Sequence, residues 1–129
     1  MARSEVRQPA IRVSLMPRDT NRHGTIFGGV ILSYIDQAGA VVARLHGADR
    51  AVTIAMEKVV FHAPVQVGDV ASFYGELVRI GRTSITVKVV VEAAGSGPPV
   101  VPRRVTEAEL TYVNTDESGR PIPIRPAEA

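Results

Sequence analysis

The sequence predicts an α+β fold in which an antiparallel sheet of about five strands wraps around one long central helix. Three patterns carry that expectation. An apolar stripe of helical period runs from Val30 to Leu45, β-branched segments of period two lie on either side of it, and clusters of turn formers separate those segments.

At 129 residues the chain has the length of one domain, and 1–129 is read as a single unit with 1–10 and 125–129 as frayed tails. An apolar share of 45% and a charged share of 22% suit a folded globule rather than a disordered chain. Ile11, Val13 and Leu15 alternate with Arg12 and Ser14, a short strand that Met16-Pro17 ends. A turn-rich loop, RDTNRHGT, follows.

From Phe27 the period changes. Val30, Ile31, Tyr34, Ile35, Ala38, Val41, Val42 and Leu45 form a stripe of period about 3.6. Gly29, Leu32, Gly39, Ala40 and Ala43 occupy the other faces, which makes the helix apolar nearly all round and therefore buried. His46-Gly47 supplies the stop. After it come strands over Ala51 to Phe61, Ala71 to Ile80 and Thr83 to Ala93, the last two joined by a hairpin at Gly81-Arg82. Ile85, Val87, Val89 and Val91 share one face there, opposite Ser84, Thr86, Lys88 and Val90. The loop GSGPPVVP leads into a last strand centred on Val105 to Val113, and NTDESGRP turns out of it. One sheet covers one side of such a helix and leaves edges open, so at least a dimer is expected.

Composition removes several classes of function. There is no cysteine, hence no disulfide, thiolate nucleophile or cysteine-ligated metal. His23, His46 and His62 lie 23 and 16 positions apart, which is no metal-binding spacing, and no metal is expected. A net charge of +2 and 5% aromatics give no basic–aromatic patch for nucleic acid. Asp36, Gln37 and Arg44 interrupt the most apolar stretch, so no membrane span is expected. MARSEVRQPAIRV lacks the apolar core of a signal peptide, which points to the cytoplasm.

Asp36 is the most informative residue. It sits in the middle of a helix expected to be buried, where a carboxylate serves either a structural network or chemistry. The second signal is the helix entrance, His23 to Gly29. Glycines there let a ligand approach the backbone, and the leading N–H groups of the helix form a site for an anion or oxyanion, unless packing alone explains them. Gly28 and Asp36 are eight positions apart, about 12 Å of helical rise. An oxyanion donor and an acid–base group acting on one carbonyl both lie roughly 3 Å from its reacting atoms. If both serve one substrate, Asp36 meets Gly28 of a second subunit across an interface.

His23 in the glycine loop is positioned to touch a ligand, whereas His46 reads as a helix-end residue. The Arg82-Thr83-Ser84 hairpin and the Arg103-Arg104 pair suit phosphates, and solvated turn or edge positions account for them equally. Ser96, within Gly-Ser-Gly, is a turn residue rather than a nucleophile.

Asn21-Arg22-His23-Gly24-Thr25-Ile26-Phe27-Gly28-Gly29 followed by Ser33-Tyr34-Ile35-Asp36 resembles the hotdog-fold thioesterases, in particular their acyl-CoA hydrolase branch. Phe61-His62-Ala63-Pro64-Val65, Val67-Gly68-Asp69, Gly81-Arg82-Thr83-Ser84, Thr106-Glu107-Ala108 and Tyr112-Val113 extend the likeness over about residues 11 to 124. The resemblance implies hydrolysis of acyl-CoA to free CoA and a carboxylic acid. It makes Asp36 the catalytic carboxylate, as general base or nucleophile, and Gly28 the donor that polarises the thioester carbonyl. Thr25 stands where this branch commonly carries Asn or Asp; its hydroxyl positions water but is neither acid nor base near neutrality. By the same likeness Arg82, Thr83, Ser84, Arg103 and Arg104 meet the CoA portion of the substrate, while His23 and Gly29 at the helix entrance are expected to border the substrate. No cofactor is implied, since CoA belongs to substrate and product, and the subunits assemble as dimers within tetramers or hexamers. Two alternatives share the fold: an enoyl-thioester hydratase, which wants a His beside the Asp that this helix lacks, and a non-catalytic acyl-CoA-binding protein.

Overall fold

The computed structural model describes residues 7–125. Strand β1 (Ile11–Ser14) leads through a short 3₁₀ turn (Pro17–Asp19) to helix α1 (Gly28–Leu45), and strands β2 (Ala51–Phe61), β3 (Val70–Ile80), β4 (Ser84–Ala94) and β5 (Arg103–Asn114) follow. All pair antiparallel in one five-stranded sheet of order β1-β3-β4-β5-β2. The strand alternation read from the sequence is what seats the helix. Phe73, Val87, Val89, Val91, Leu110 and Tyr112 face it and are wholly buried against Ile31, Ile35, Ala38 and Val42. Two glycines set how closely the layers approach. A Cβ on Gly75 would stand 2.3 Å from a Val42 methyl, and one on Gly39 would stand 2.2 Å from the Tyr112 hydroxyl.

In one respect the fold departs from the expectation. The helix is not buried all round: Ser33, Gln37, Val41, Arg44 and Leu45 are exposed, Leu45 by 72%. The sheet covers one face of α1, and the composition of the other face suits a further surface. The far face of β4 is itself partly covered: Thr86 and Val90 are buried there. β4 is central, so cross-strand neighbours flank each outward side chain: Tyr74 and Glu107 beside Val90, Arg79 and Thr111 beside Thr86.

Strand β2 is an edge. Its register slips between Thr53 and Ala55 and again between Glu57 and Val60, where Lys58 takes a positive φ of 54°. Such bulges bend a strand. Val52, Ile54, Val59, Val60 and Phe61 all stand exposed along it, an apolar edge of the kind that pairs with another chain.

Candidate functional site

The loop entering α1 is organised by Asn21. Its Oδ1 accepts the N–H groups of His23 (2.8 Å) and Thr25 (3.3 Å), and its Nδ2 donates to the Thr25 hydroxyl at 2.9 Å. Gly24, at φ 86°, lets the loop reverse. Ile26 N–H to Val65 O and Phe27 N–H to Asp19 O then fasten the chain at the helix entrance, both at 2.8 Å. Phe27 occupies the N-cap position, where its side chain offers no acceptor. Among the described residues nothing accepts the N–H groups of Gly28 and Gly29. The helix therefore opens with uncommitted donors at the positive end of its dipole.

Two hollows reach Gly28. One, of about 320 Å³, is mostly apolar and bounded by Ile26, Ile31, Phe61, Pro64 and Val65. The other, of about 680 Å³ and wider, is formed by Thr20 to His23 with Phe27. Gly28 lies close under the Phe61 ring, 3.3 Å from where a Cβ would stand.

Two turns along, Asp36 is half-buried rather than enclosed, a correction to the expectation of a fully buried carboxylate. Its side of α1 looks toward the edge strand, not the middle of the sheet. Asp36 Oδ1 accepts the Thr53 hydroxyl at 2.7 Å, and the Tyr112 hydroxyl lies 3.2 Å from Oδ1 and 2.7 Å from the Asp36 carbonyl. Burial pushes the Tyr112 phenol well above its usual range, and the neighbouring carboxylate pushes it the same way, so it stays a donor. Asp36 Oδ2 has no partner among the described residues. One oxygen is held; the other is available.

The remaining candidates are spread over the protomer. His23 is exposed in the wider hollow, and the Thr25 hydroxyl is engaged by Asn21. Arg103 is largely committed: it donates to Asp69 (2.9 Å), to the Pro64 carbonyl (3.0 Å) and to the Ala93 carbonyl (3.3 Å), clamping loop 62–69 onto β5. Arg104 is exposed, 3.7 Å from Glu107. The Glu107 carboxyl is held below its usual range, chiefly by the hydrogen bond from His62 and further by Lys88 and Arg104. Arg82, Thr83 and Ser84 sit at the opposite end of α1. The Arg82 carbonyl accepts Ile124 N–H, and the Arg125 carbonyl that follows packs against Gly47 past the helix terminus. Within one protomer the helix thus keeps Asp36 and the Arg82 hairpin away from Gly28.

Thr53, Tyr112 and Asn21 neighbour the candidate residues; in the sequence Asn21 and Tyr112 figure only within the family motifs, without a role, and Thr53 is not singled out. Tyr112 carried a signal, since a tyrosine on the buried face of a strand needs a partner for its hydroxyl. Asn21 carried another, as an Asx-type turn former ahead of Gly24. Thr53 carried none. Among the described residues no three His, Asp or Glu side chains converge as a metal site, and no helix is long and apolar enough to cross a membrane.

Comparison with known proteins adds a family likeness. The sequence profile of the thioesterase superfamily matches residues 23–99. The acyl-CoA thioester hydrolase YciA of Salmonella typhimurium is 40% identical over 116 residues, 88% of this chain and 87% of that protein. A hexameric hotdog-fold thioesterase of Campylobacter jejuni superposes with a TM-score of 0.86 at 45% identity, over 91% of this chain and 90% of the other. A hexameric broad-specificity acyl-coenzyme A thioesterase superposes with a TM-score of 0.88 at 38% identity, over 93% and 88%.

Proposed function

The chain belongs to the thioesterase superfamily, and from that premise we propose that it hydrolyses acyl-CoA thioesters to free CoA and a carboxylic acid. The observation that carries the reading is the pairing of an uncapped helix start at Gly28 with a carboxylate, Asp36, that has one oxygen tethered and one free.

The N–H of Gly28 receives the thioester oxygen as charge builds on it. Asp36 Oδ2 takes a proton from water, whose oxygen adds to the carbonyl carbon. The C–S bond then breaks, the acid departs, and the proton passes to the CoA sulfur. Tyr112 and Thr53 hold Oδ1, fixing the direction in which Oδ2 points. Because one helix separates Gly28 from Asp36 by eight positions, about 12 Å, each site takes Gly28 from one protomer and Asp36 from its partner. The homodimer is the minimal active unit. The exposed apolar edge of β2 supports such assembly, and the hexameric relatives favour a hexamer over a tetramer.

Thr25 in this reading positions the Asn21 loop, while His23 and Gly29 border the substrate. Arg82, Thr83 and Ser84 are free to meet the CoA phosphates, Arg104 is exposed beside Glu107 and meets them from there, and Arg103 contributes by anchoring loop 62–69. Water is the only co-reactant, so no cofactor is needed. A cytoplasmic location fits a cysteine-free chain that owes nothing to an oxidising compartment.

Thiol release from CoA esters of graded acyl length tests the proposal. Saturable hydrolysis of at least part of the series is expected; binding without release by the wild-type protein would leave an acyl-CoA-binding role instead.

A further inference from the structure

The apolar cavity beside Gly28 contains an anomaly. Thr106 belongs to its wall, is 1% exposed, and its Oγ1 is the one buried side-chain polar atom without a hydrogen-bond partner among the described residues. A hydroxyl buried in that state is destabilising relative to a satisfied one. The neighbours that could have relieved it are engaged elsewhere. His62 Nε2–H donates to Glu107 at 2.8 Å, and the backbone N–H groups of His62 and Ala63 both go to the Val105 carbonyl. The side chains around Thr106 in this cavity are otherwise chiefly Ile26, Ile31, Phe61, Ala63, Pro64 and Val65. A valine would fit such a wall at lower cost.

Building on the thioesterase reading, we propose that Thr106 is a specificity-determining residue whose hydroxyl bonds a polar group set within an otherwise apolar stretch of the substrate. Rotation about χ1 carries Oγ1 into the position the methyl group vacates, so the same wall presents either to an occupant. Two parts of an acyl-CoA have the required chemistry within a few bonds of the carbonyl held at Gly28. One is the amide of the pantetheine arm nearest the sulfur; the other is an oxygen on the acyl chain near the carboxyl end. Either would complete the hydroxyl when substrate enters, and the free enzyme bears the cost until then.

Thr106→Val and Thr106→Ser separate this role from a structural one. For Thr106→Val the expected result is a higher Tm, because the orphan hydroxyl is gone, together with a KM raised about three- to tenfold and little change in kcat. Thr106→Ser should restore the wild-type KM. Three esters locate the contact: an unsubstituted acyl-CoA, its 3-hydroxyacyl counterpart, and a simple alkyl thioester lacking the pantetheine amide. Loss on both CoA esters but not on the alkyl thioester assigns the amide. Loss confined to the 3-hydroxyacyl ester assigns the acyl oxygen. Equal KM values for wild type and Thr106→Val on every ester, or a loss that includes the alkyl thioester equally, would overturn the proposal. A wild-type protein that cleaves no CoA ester would overturn the thioesterase reading first and this inference with it.

Discussion

The two ends of helix α1 are finished in opposite ways. At its C-terminus the chain satisfies most of the trailing carbonyls: Gly47 N–H reaches the Arg44 carbonyl, Ala48 N–H reaches the Ala43 carbonyl, and His46 Nδ1–H reaches the Val42 carbonyl at 3.0 Å. Gly47 adopts φ 99°, the left-handed residue this closure requires. At the N-terminus the Phe27 side chain caps nothing, and Gly28 and Gly29 keep their donors free beside two hollows. A protein that satisfies one helix end so fully has no difficulty satisfying the other. On the proposed thioesterase reading, the open end is where a ligand completes the structure, and the contrast separates residues expected to serve stability from residues expected to serve chemistry.

Substitutions at the two ends should therefore fail in different assays. The largest effect belongs to Asp36→Ala, which should cut kcat by about 10²–10⁴-fold while CoA esters still bind, as read by thiol release beside calorimetric titration. Gly28→Pro comes next. Proline is tolerated at the first helical position, and Phe27 already holds the extended conformation (φ −61°, ψ 131°) that a residue before proline prefers. This substitution deletes the N–H and spares the helix, so kcat should fall about 10²–10³-fold with the far-UV circular dichroism unchanged. Gly47→Ala should do the reverse. Its Cβ would stand 1.6 Å from the Arg125 carbonyl, in a backbone region costly to any L side chain. A stability loss of about 1–3 kcal/mol in urea melts, with near-normal kcat for the folded fraction, is expected.

The smallest effect concerns pH. Glu107 titrates below its ordinary 4.5 in the folded protein because His62, Lys88 and Arg104 favour the carboxylate. A lowered folded value adds stability that is complete above about 4.5 and is lost as pH falls through the folded value. Acid melts of Glu107→Gln should show a shallower decline over that window than wild type; parallel curves would mean the pairing contributes nothing.

The comparison also shows what a sequence reveals. The helix was legible from the spacing of Ile31, Ile35, Ala38 and Val42, and the central strands from the alternation at Val87, Val89 and Val91, because local periodicity dictates which side is buried. The open helix start was legible because Gly28 and Gly29 are a local feature. The partners of Asp36 were not. Thr53 and Tyr112 reach it only because β2 and β5 come together at one side of the sheet in the order β1-β3-β4-β5-β2, a non-local outcome that no period encodes. Arg103 illustrates the same limit. As a sequence feature it is a basic residue available to phosphate; folding brings Asp69, 34 positions away, to 2.9 Å and engages the guanidinium.

Subunit mixing tests directly whether each site draws Gly28 and Asp36 from different protomers, as proposed. Asp36→Ala and Gly28→Pro, each inactive alone, are co-expressed and purified as mixed oligomers. In a mixed pair one site carries both lesions and the other carries none, so random pairing should restore about a quarter of wild-type thiol release. Mixtures as inactive as the parents would place both groups of each site on one chain and contradict the account.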